Sequence, residues 1–329
     1  MSHVHTLSVV VPVYRGETCL DQLVDAIAPM ILELETPEGR RLRVSELVLV
    51  HDCGPDRSDE VIRALAVKHD WIRPVWLSRN FGQHAATLAG MSSSGGDWVL
   101  TLDEDSQHDP ADVAKMLDVA LSAQADVVYG EPVNAPPHGV VRNMASRLAK
   151  RSLRWMTANK DAPRFSSFRL VLGDIARSVA AYAGSGVYLD VALSWVSRRV
   201  ATCPVTLATE VRPSGYGLRS LLSHYRRMVL TGGTRLLRVV SAVGVVFAML
   251  GFSFAMVLIG IRIFGEIPVA GWTSVMVVAL IGMGIILFAL GIVAEYLGVA
   301  VNMALGKPLY LMVADRGQGP LGRELSDQQ

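Results

Sequence analysis

An α/β domain built on a mostly parallel sheet with helices on both faces, followed by a two-helix membrane hairpin, is the fold class this 329-residue sequence predicts. Short β-branched runs alternate with amphipathic stretches over residues 7–130, which is the pattern of repeated βα units. Two long uncharged runs follow near the C-terminus. Each of the first four β-like runs closes on a cluster of polar residues, the place where parallel sheets hold their ligands.

The elements follow in order. Residues 7–13 (LSVVVPV) read as a first strand and 18–34 as a helix. Residues 46–50 (ELVLV) form a second strand, and 58–68 a helix capped by Asp56 or Ser58. Residues 73–78 (RPVWLS) are a third strand, followed by a helix through HAATLAGM. Residues 98–102 (WVLTL) are a fourth strand, after which Asp109-Pro110 opens a helix as N-cap and first helical residue. Residues 125–130 (ADVVYG) are a fifth strand.

The chain is 51% hydrophobic and 19% charged with net charge +1, and its mean hydropathy is +0.35. This balance excludes disorder and gives no global case for nucleic-acid binding. Cys19, Cys53 and Cys203 are scattered, so neither a disulfide framework nor a zinc site is expected. The hydropathy is concentrated in residues 239–261 and 267–294, neither of which contains a charge. A helix of the first run spans about 35 Å, enough for a hydrocarbon core of about 30 Å. Arg226, Arg227, Arg235 and Arg238 precede the pair, Lys307, Arg316 and Arg323 follow it, and the connecting FGEIPVAG has no Lys or Arg. The positive-inside rule then places both ends in the cytoplasm. The apolar run after His5 is only about seven residues, too short for a cleavable signal.

The polar strand ends hold the chemistry. Asp103-Glu104-Asp105 closes the fourth strand, with Gln107 two residues on. D-x-D alone arises by chance roughly once per 400 positions, so its weight comes from its place. In an extended segment residues 103, 105 and 107 project to one side. Such oxygen donors suit Mg²⁺ or Mn²⁺, completed by water and phosphate. Neither G-x-G-x-x-G after the first strand nor a P-loop is present.

The segments VVVPVYRGE (9–17), LVLVHDCGPDRS (47–58), LSRNFGQHAATLAG (77–90), LTLDEDSQHDP (100–110) and SGYGLRSLL (214–222), with the hairpin and AEYLG (294–298), resemble the family 2 glycosyltransferases. More narrowly, they are similar to the polyprenyl-phosphate group that contains dolichol-phosphate mannose synthase and undecaprenyl-phosphate sugar transferases. The resemblance implies a GT-A nucleotide-sugar-binding sheet, amphipathic interface helices and a transmembrane hairpin. It implies metal-dependent, inverting transfer of a sugar from a UDP- or GDP-linked donor to a polyprenyl phosphate at the cytoplasmic face of a bacterial inner membrane. The alternatives are a catalytically inactive membrane scaffold and another lipid acceptor. By position, Pro12, Val13 and Tyr14 would line the base-and-ribose pocket with Glu17 beside them, and Asp52 would bind base or ribose. Asp103 and Glu104 would contact the nucleotide sugar, while Asp105 and Gln107 would hold the metal. Asp103 and Asp105 are the catalytic candidates. Where the family usually has Asn-Glu this chain has Arg15-Gly16; His51 replaces the first of a frequent Asp pair, and Pro132 stands where several relatives have arginine.

Between Pro132 and Lys160 lie Arg142, Arg147, Lys150, Arg151 and Arg154 with no acidic residue. Their spacing makes a basic amphipathic helix, a type that lies in the headgroup region and attracts anionic lipid. By resemblance, Arg142, Arg147, Arg169, Arg212 and Ser214 are the acceptor-phosphate candidates. A phosphomonoester is already anionic at pH 7, so no strong general base is required. The expected organisation is a catalytic domain over 1–213, an amphipathic juxtamembrane segment over 214–238, a hairpin over 239–303 (helices about 239–263 and 269–298) and a cytoplasmic tail over 304–329. The expected partners are nucleotide sugar, polyprenyl phosphate and the lipid bilayer, and two thin helices per chain leave room for a homo-oligomer.

Overall fold

The structure, a computed structural model, describes residues 3–134, 165–184, 187–207, 234–264, 271–315 and 317. Its centre is β1 (Val4–Val13), in which Val9, Val10, Val11 and Val13 are fully buried. Burial on both faces is why the run is continuously apolar rather than alternating. β3 (Arg41–His51) lies parallel on one side, in a register that sets Val9 against Leu47 and Val13 against His51. β4 (Ile72–Leu77) continues parallel beyond β3, and β5 (Trp98–Thr101) lies parallel on the other side of β1.

The helices between them cover both faces. α1 (Leu20–Ile27), α2 (Ser58–Lys68) and α4 (Val113–Ser122) close one core with Leu20, Leu23, Ile27, Ile62, Met116 and Leu117. α3 (Gln83–Ser93) closes the other with Leu88 and Met91. Each such buried side chain contributes about 1.5–3 kcal/mol relative to exposure. The first helix is shorter than the expected 18–34. Pro29 lacks the N–H that would continue the α-helical ladder, so the chain tightens into a 3₁₀ turn (Ala28–Ile31). It then pairs as β2 (Leu34–Glu35), antiparallel to β3. Asp109 caps as expected, accepting from Ala111 N–H at 2.9 Å, ahead of a 3₁₀ turn (Pro110–Asp112) that leads into α4.

The remainder corrects the expectation of a mostly parallel sheet. β6 (Val127–Pro132) does not join β5 directly; β7 (Arg169–Leu172) runs antiparallel between them. α5 (Gly173–Tyr182) and α6 (Leu189–Val196) then pack on the α3 face, and β8 (Val200–Val205) returns parallel to β6. The described strands form one mixed sheet in the order β8-β6-β7-β5-β1-β3-β4-β9, with β2 attached to β3. β9 (Met312–Val313) comes from the C-terminal tail and pairs antiparallel with β4.

Two long helices precede that last strand. α7 (Arg235–Phe264) and α8 (Trp272–Ala304) contain apolar windows of hydropathy 2.0 and 2.2, none of whose residues is buried. Phe247, Phe252, Leu287 and Phe288 all stand open on their surfaces. Soluble monomers rarely expose apolar surface on this scale. At 1.5 Å per residue the helices are about 45 and 50 Å long, more than a hydrocarbon core requires.

Candidate active site

The register of β1, β3 and β5 brings their carboxyl ends together. A cleft of about 310 Å³ opens there, between the first, second and fourth strand ends and the loop after β4. Pro12, Val13 and Tyr14 line it from β1, and Asp52 from β3. Asn80, Gly82 and Gln83 line it from the loop, and Asp103, Glu104 and Asp105 from beyond β5. Tyr14 is 40% exposed at the cleft. Arg15 lies 5.7 Å over its ring.

Carboxylates knit the loops to one another. Asp52, 3% exposed, accepts Phe81 N–H at 2.7 Å and Gly82 N–H at 2.8 Å through its two oxygens. Gly82 has φ +90, a conformation open to glycine, and its N–H reaches Asp52 because of it. Burial pushes the Asp52 carboxyl above its ordinary range against those two bonds. Glu104 accepts Tyr14 N–H at 2.9 Å and Arg15 N–H at 3.0 Å, joining the fourth strand end to the first. Burial raises its carboxyl as well, against the same two amides. A Cβ on Gly54 would fall 1.8 Å from the Tyr14 carbonyl oxygen, so only glycine lets the second strand end pass this close to the first.

Asp103 sits deepest in this arrangement. Gln83 donates its side-chain amide to one oxygen, and Ser167 donates its hydroxyl to the other at 2.6 Å. Burial pushes the Asp103 carboxyl up; the Ser167 bond opposes this, and the neighbouring charge of Asp105 adds to it. Among the described residues no basic side chain forms an ion pair with Asp103, Glu104 or Asp105. Three carboxylates thus share one cleft; the buried Arg169 acts on Asp103 through its charge without pairing with it, and carboxylates perturbed in this way gather at functional sites.

The expected alternation of residues 103, 105 and 107 is corrected here. β5 ends at Thr101, and Ser106 takes φ +54, a left-handed conformation unusual for a non-glycine residue. The chain therefore turns rather than extends. Gln107 presents its backbone N–H to Asp105 Oδ1 at 3.2 Å and does not line the cleft. Glu17 also lies off the cleft: its carboxylate pairs with Arg57 at 3.2 Å, and its N–H donates to Asp56. Arg169, expected at the acceptor phosphate, is 3% exposed and turned into the interior. Its guanidinium pairs with buried Asp190 and donates Nε to Thr101 Oγ1 at 3.0 Å. An anion bound there would have to displace a buried carboxylate. Arg142, Arg147, Arg212 and Ser214 lie outside the described residues.

Asn80, Gln83 and Ser167 were not among the sequence-derived site residues. The first two stand at a strand end that the alternation had already marked, a signal available in RNFGQH. Ser167 gave none, because its place follows from the antiparallel entry of β7. A divalent cation fits the residues present. Asp105 and Asp103 offer hard oxygen donors to an acidic cleft in which no described basic side chain pairs with either of them.

The profile of glycosyl transferase family 2 matches residues 8–179. The undecaprenyl-phosphate 4-deoxy-4-formamido-L-arabinose transferase of Pseudomonas aeruginosa (strain LESB58) is 31% identical over 298 residues, 89% of this chain and 85% of that relative. The transferase of the same name from Aeromonas hydrophila is 29% identical, covering 93% of this chain and 92% of its own. Among solved structures, M. tuberculosis glucosyl-3-phosphoglycerate synthase superposes with TM-score 0.48 and 18% identity, over 69% of this chain and 79% of that one. This chain belongs to glycosyl transferase family 2. It is a glycosyltransferase with a GT-A-like mixed sheet and two C-terminal apolar helices.

Proposed function

We propose that this protein transfers a sugar from a nucleoside-diphosphate sugar to a polyprenyl phosphate at the cytoplasmic face of the membrane, with inversion at the anomeric carbon. The observation that carries the reading is the acidic cleft at the carboxyl ends of β1, β3 and β5 in a chain that also exposes two membrane-length apolar helices. The names of its relatives support it, since those proteins are undecaprenyl-phosphate transferases.

Tyr14, with Pro12 and Val13, would enclose the base, and Asp52, which also holds the Phe81–Gly82 turn, would bind base or ribose. Asp105, assisted by Asp103, would hold Mg²⁺ or Mn²⁺. Such a cation neutralises charge on a departing diphosphate. Gln83 and Ser167 hold the Asp103 carboxylate in one orientation. The acceptor phosphate oxygen attacks the anomeric carbon and forms the new C–O bond. The bond to the diphosphate breaks, and the leaving group takes its electron pair. Since the acceptor is already an anion at neutral pH, positioning and charge compensation carry the rate rather than proton abstraction.

The organisation that goes with this reading is a catalytic domain over 1–213, a juxtamembrane segment over 214–238, a hairpin over 239–303 and a tail over 304–329. Both termini then lie in the cytoplasm. The test is transfer from a panel of labelled UDP- and GDP-sugars to undecaprenyl phosphate in detergent, with and without EDTA. A chloroform-soluble labelled lipid that requires the divalent cation supports the reading and names the donor. No lipid product from any donor, with no cation-dependent nucleotide binding, contradicts it in favour of an inactive scaffold.

A further inference from the structure

The tail that leaves α8 does not hang free; it returns to the edge of the sheet that borders the cleft. α8 ends at Ala304, Gly306 turns with φ +62, and β9 pairs with β4 through Trp76↔Val313 and Leu77↔Met312. One residue earlier the Leu311 carbonyl accepts from Ser78 N–H at 2.9 Å. Ser78 opens the loop that carries Asn80, Gly82 and Gln83 into the cleft.

An ion pair fastens this docking from the side. Arg63 of α2 donates Nε to Asp315 at 2.7 Å and a terminal nitrogen to the other oxygen at 2.9 Å, a bidentate fork. The Asp315 side chain is only 9% exposed and also accepts Gly317 N–H at 2.9 Å. The Arg63 fork holds the Asp315 carboxyl below its ordinary range, against partial burial. Arg63 itself lies 5.1 Å over the Trp76 ring and pairs with Asp59 at 2.9 Å. Leu309 and Tyr310 pack against the core that holds Val75 and Leu77. An exposed monodentate pair would carry little weight; a bidentate pair beside a strand pairing and two packed side chains is a built contact.

The tail is also short. Seven residue steps from Ala304 to Leu311 reach at most about 25 Å when fully extended. On the function proposed above α8 spans the bilayer and its C-terminal end emerges on the cytoplasmic side. The loop at Ser78 then cannot lie further from that end than the tail allows, so helix and tail together limit the height of the cleft above the membrane. We propose that the tail strand is a tether that holds the cleft at the height of a membrane-embedded prenyl phosphate, with Arg63 and Asp315 as positioning residues for that acceptor. A domain released from the tether still binds nucleotide but meets the lipid phosphate in many orientations, and misplacement of reactants slows transfer steeply.

The test uses full-length protein with the donor identified by the sugar-nucleotide panel. Arg63→Ala, Asp315→Ala and the conservative Asp315→Glu are compared on undecaprenyl phosphate in nanodiscs and on geranyl phosphate in detergent. Hydrogen exchange at the Ser78 amide and binding of UDP or GDP with Mn²⁺ are read alongside. Each alanine variant is expected to lose about tenfold on the bilayer acceptor and less than about twofold on the short one. In the alanine variants nucleotide affinity should be unchanged and Ser78 exchange should rise, while Asp315→Glu should keep most of the bilayer rate. Equal loss on both acceptors, no loss on either, or unchanged Ser78 protection overturns the tether while the transferase reading stands. A wild type that makes no lipid product on either acceptor overturns the transferase reading itself, and the tether with it.

Discussion

Asp97 at one end of the sheet and the cleft carboxylates at the other are held in opposite ways. At the amino end, Asp97 accepts both the N–H and the hydroxyl of Thr6 at 2.8 Å and faces His3 at 3.4 Å. Burial works to raise its carboxyl, but the Thr6 bonds and the His3 charge outweigh it and hold it below the ordinary range. Glu46 beside it accepts from Ser8 Oγ at 2.7 Å and Gly95 N–H at 2.6 Å. At the carboxyl end, Asp52, Asp103 and Glu104 are also hydrogen-bonded, yet burial holds all three above their ordinary range. The first group is satisfied locally and serves the fold. The second is held up by burial, with no ion pair to a described basic side chain at Asp103 or Glu104, and a site that stores such a conflict is organised for what it binds.

Substitutions at the two ends should therefore separate rate from stability. Asp105→Ala is expected to cut lipid-linked sugar formation by at least about 10²–10³-fold, with the melting temperature held or raised because a crowding charge has gone. A melting temperature lowered along with the rate would place Asp105 with the structural carboxylates. Gln83→Ala and Ser167→Ala, which free Asp103 to rotate, should each lower kcat by about 10–10²-fold and leave donor KM near its original value. A change confined to KM would make them binding residues instead. Asp97→Ala should do the reverse: the loss of its hydrogen bonds costs about 1–3 kcal/mol of stability, seen as a lower midpoint in thermal unfolding, with kcat intact.

The smallest expected effect is a pH dependence at the edge between the two ends. His51 closes β3 with its Nε2 buried and unpartnered, 5.4 Å from Trp76. Burial holds its pKa below the ordinary 6.5; Asp59, Asp56 and Asp315 oppose this and Arg63 adds to it. The unfolded chain thus takes up the proton first, so the stability contributed by neutral His51 is full above about pH 6.5 and is lost as pH falls through the folded value. Thermal midpoints at pH 7.5 and 5.5 should fall less for His51→Gln than for wild type. Equal slopes would remove His51 from the account.

Much of this site was legible because parallel strands end where ligands bind, and continuous Val and Leu runs announce buried strands. Pro12 to Tyr14, Asp52 and Asp103 to Asp105 could be picked out on that ground, and all of them line the cleft. What escaped the sequence depends on contacts across the fold. Arg169 looks like a phosphate ligand until Asp190, 21 residues later, is brought against it in the interior. Gln107 looks like a metal ligand until the left-handed turn at Ser106 breaks the alternation. β9 is two residues long and has no periodicity to read; only the unpaired edge of β4 gives it a place.

The claim that the carboxyl-end cleft is organised for a cation and a nucleotide can be met directly by calorimetric titration. UDP and GDP would be titrated into full-length protein with Mn²⁺, with Mg²⁺ and with EDTA, and again into Asp105→Ala. The account predicts that one nucleotide binds only with the cation and that Asp105→Ala loses this binding. Equal affinity in EDTA, or undiminished cation-dependent binding by Asp105→Ala, would contradict it.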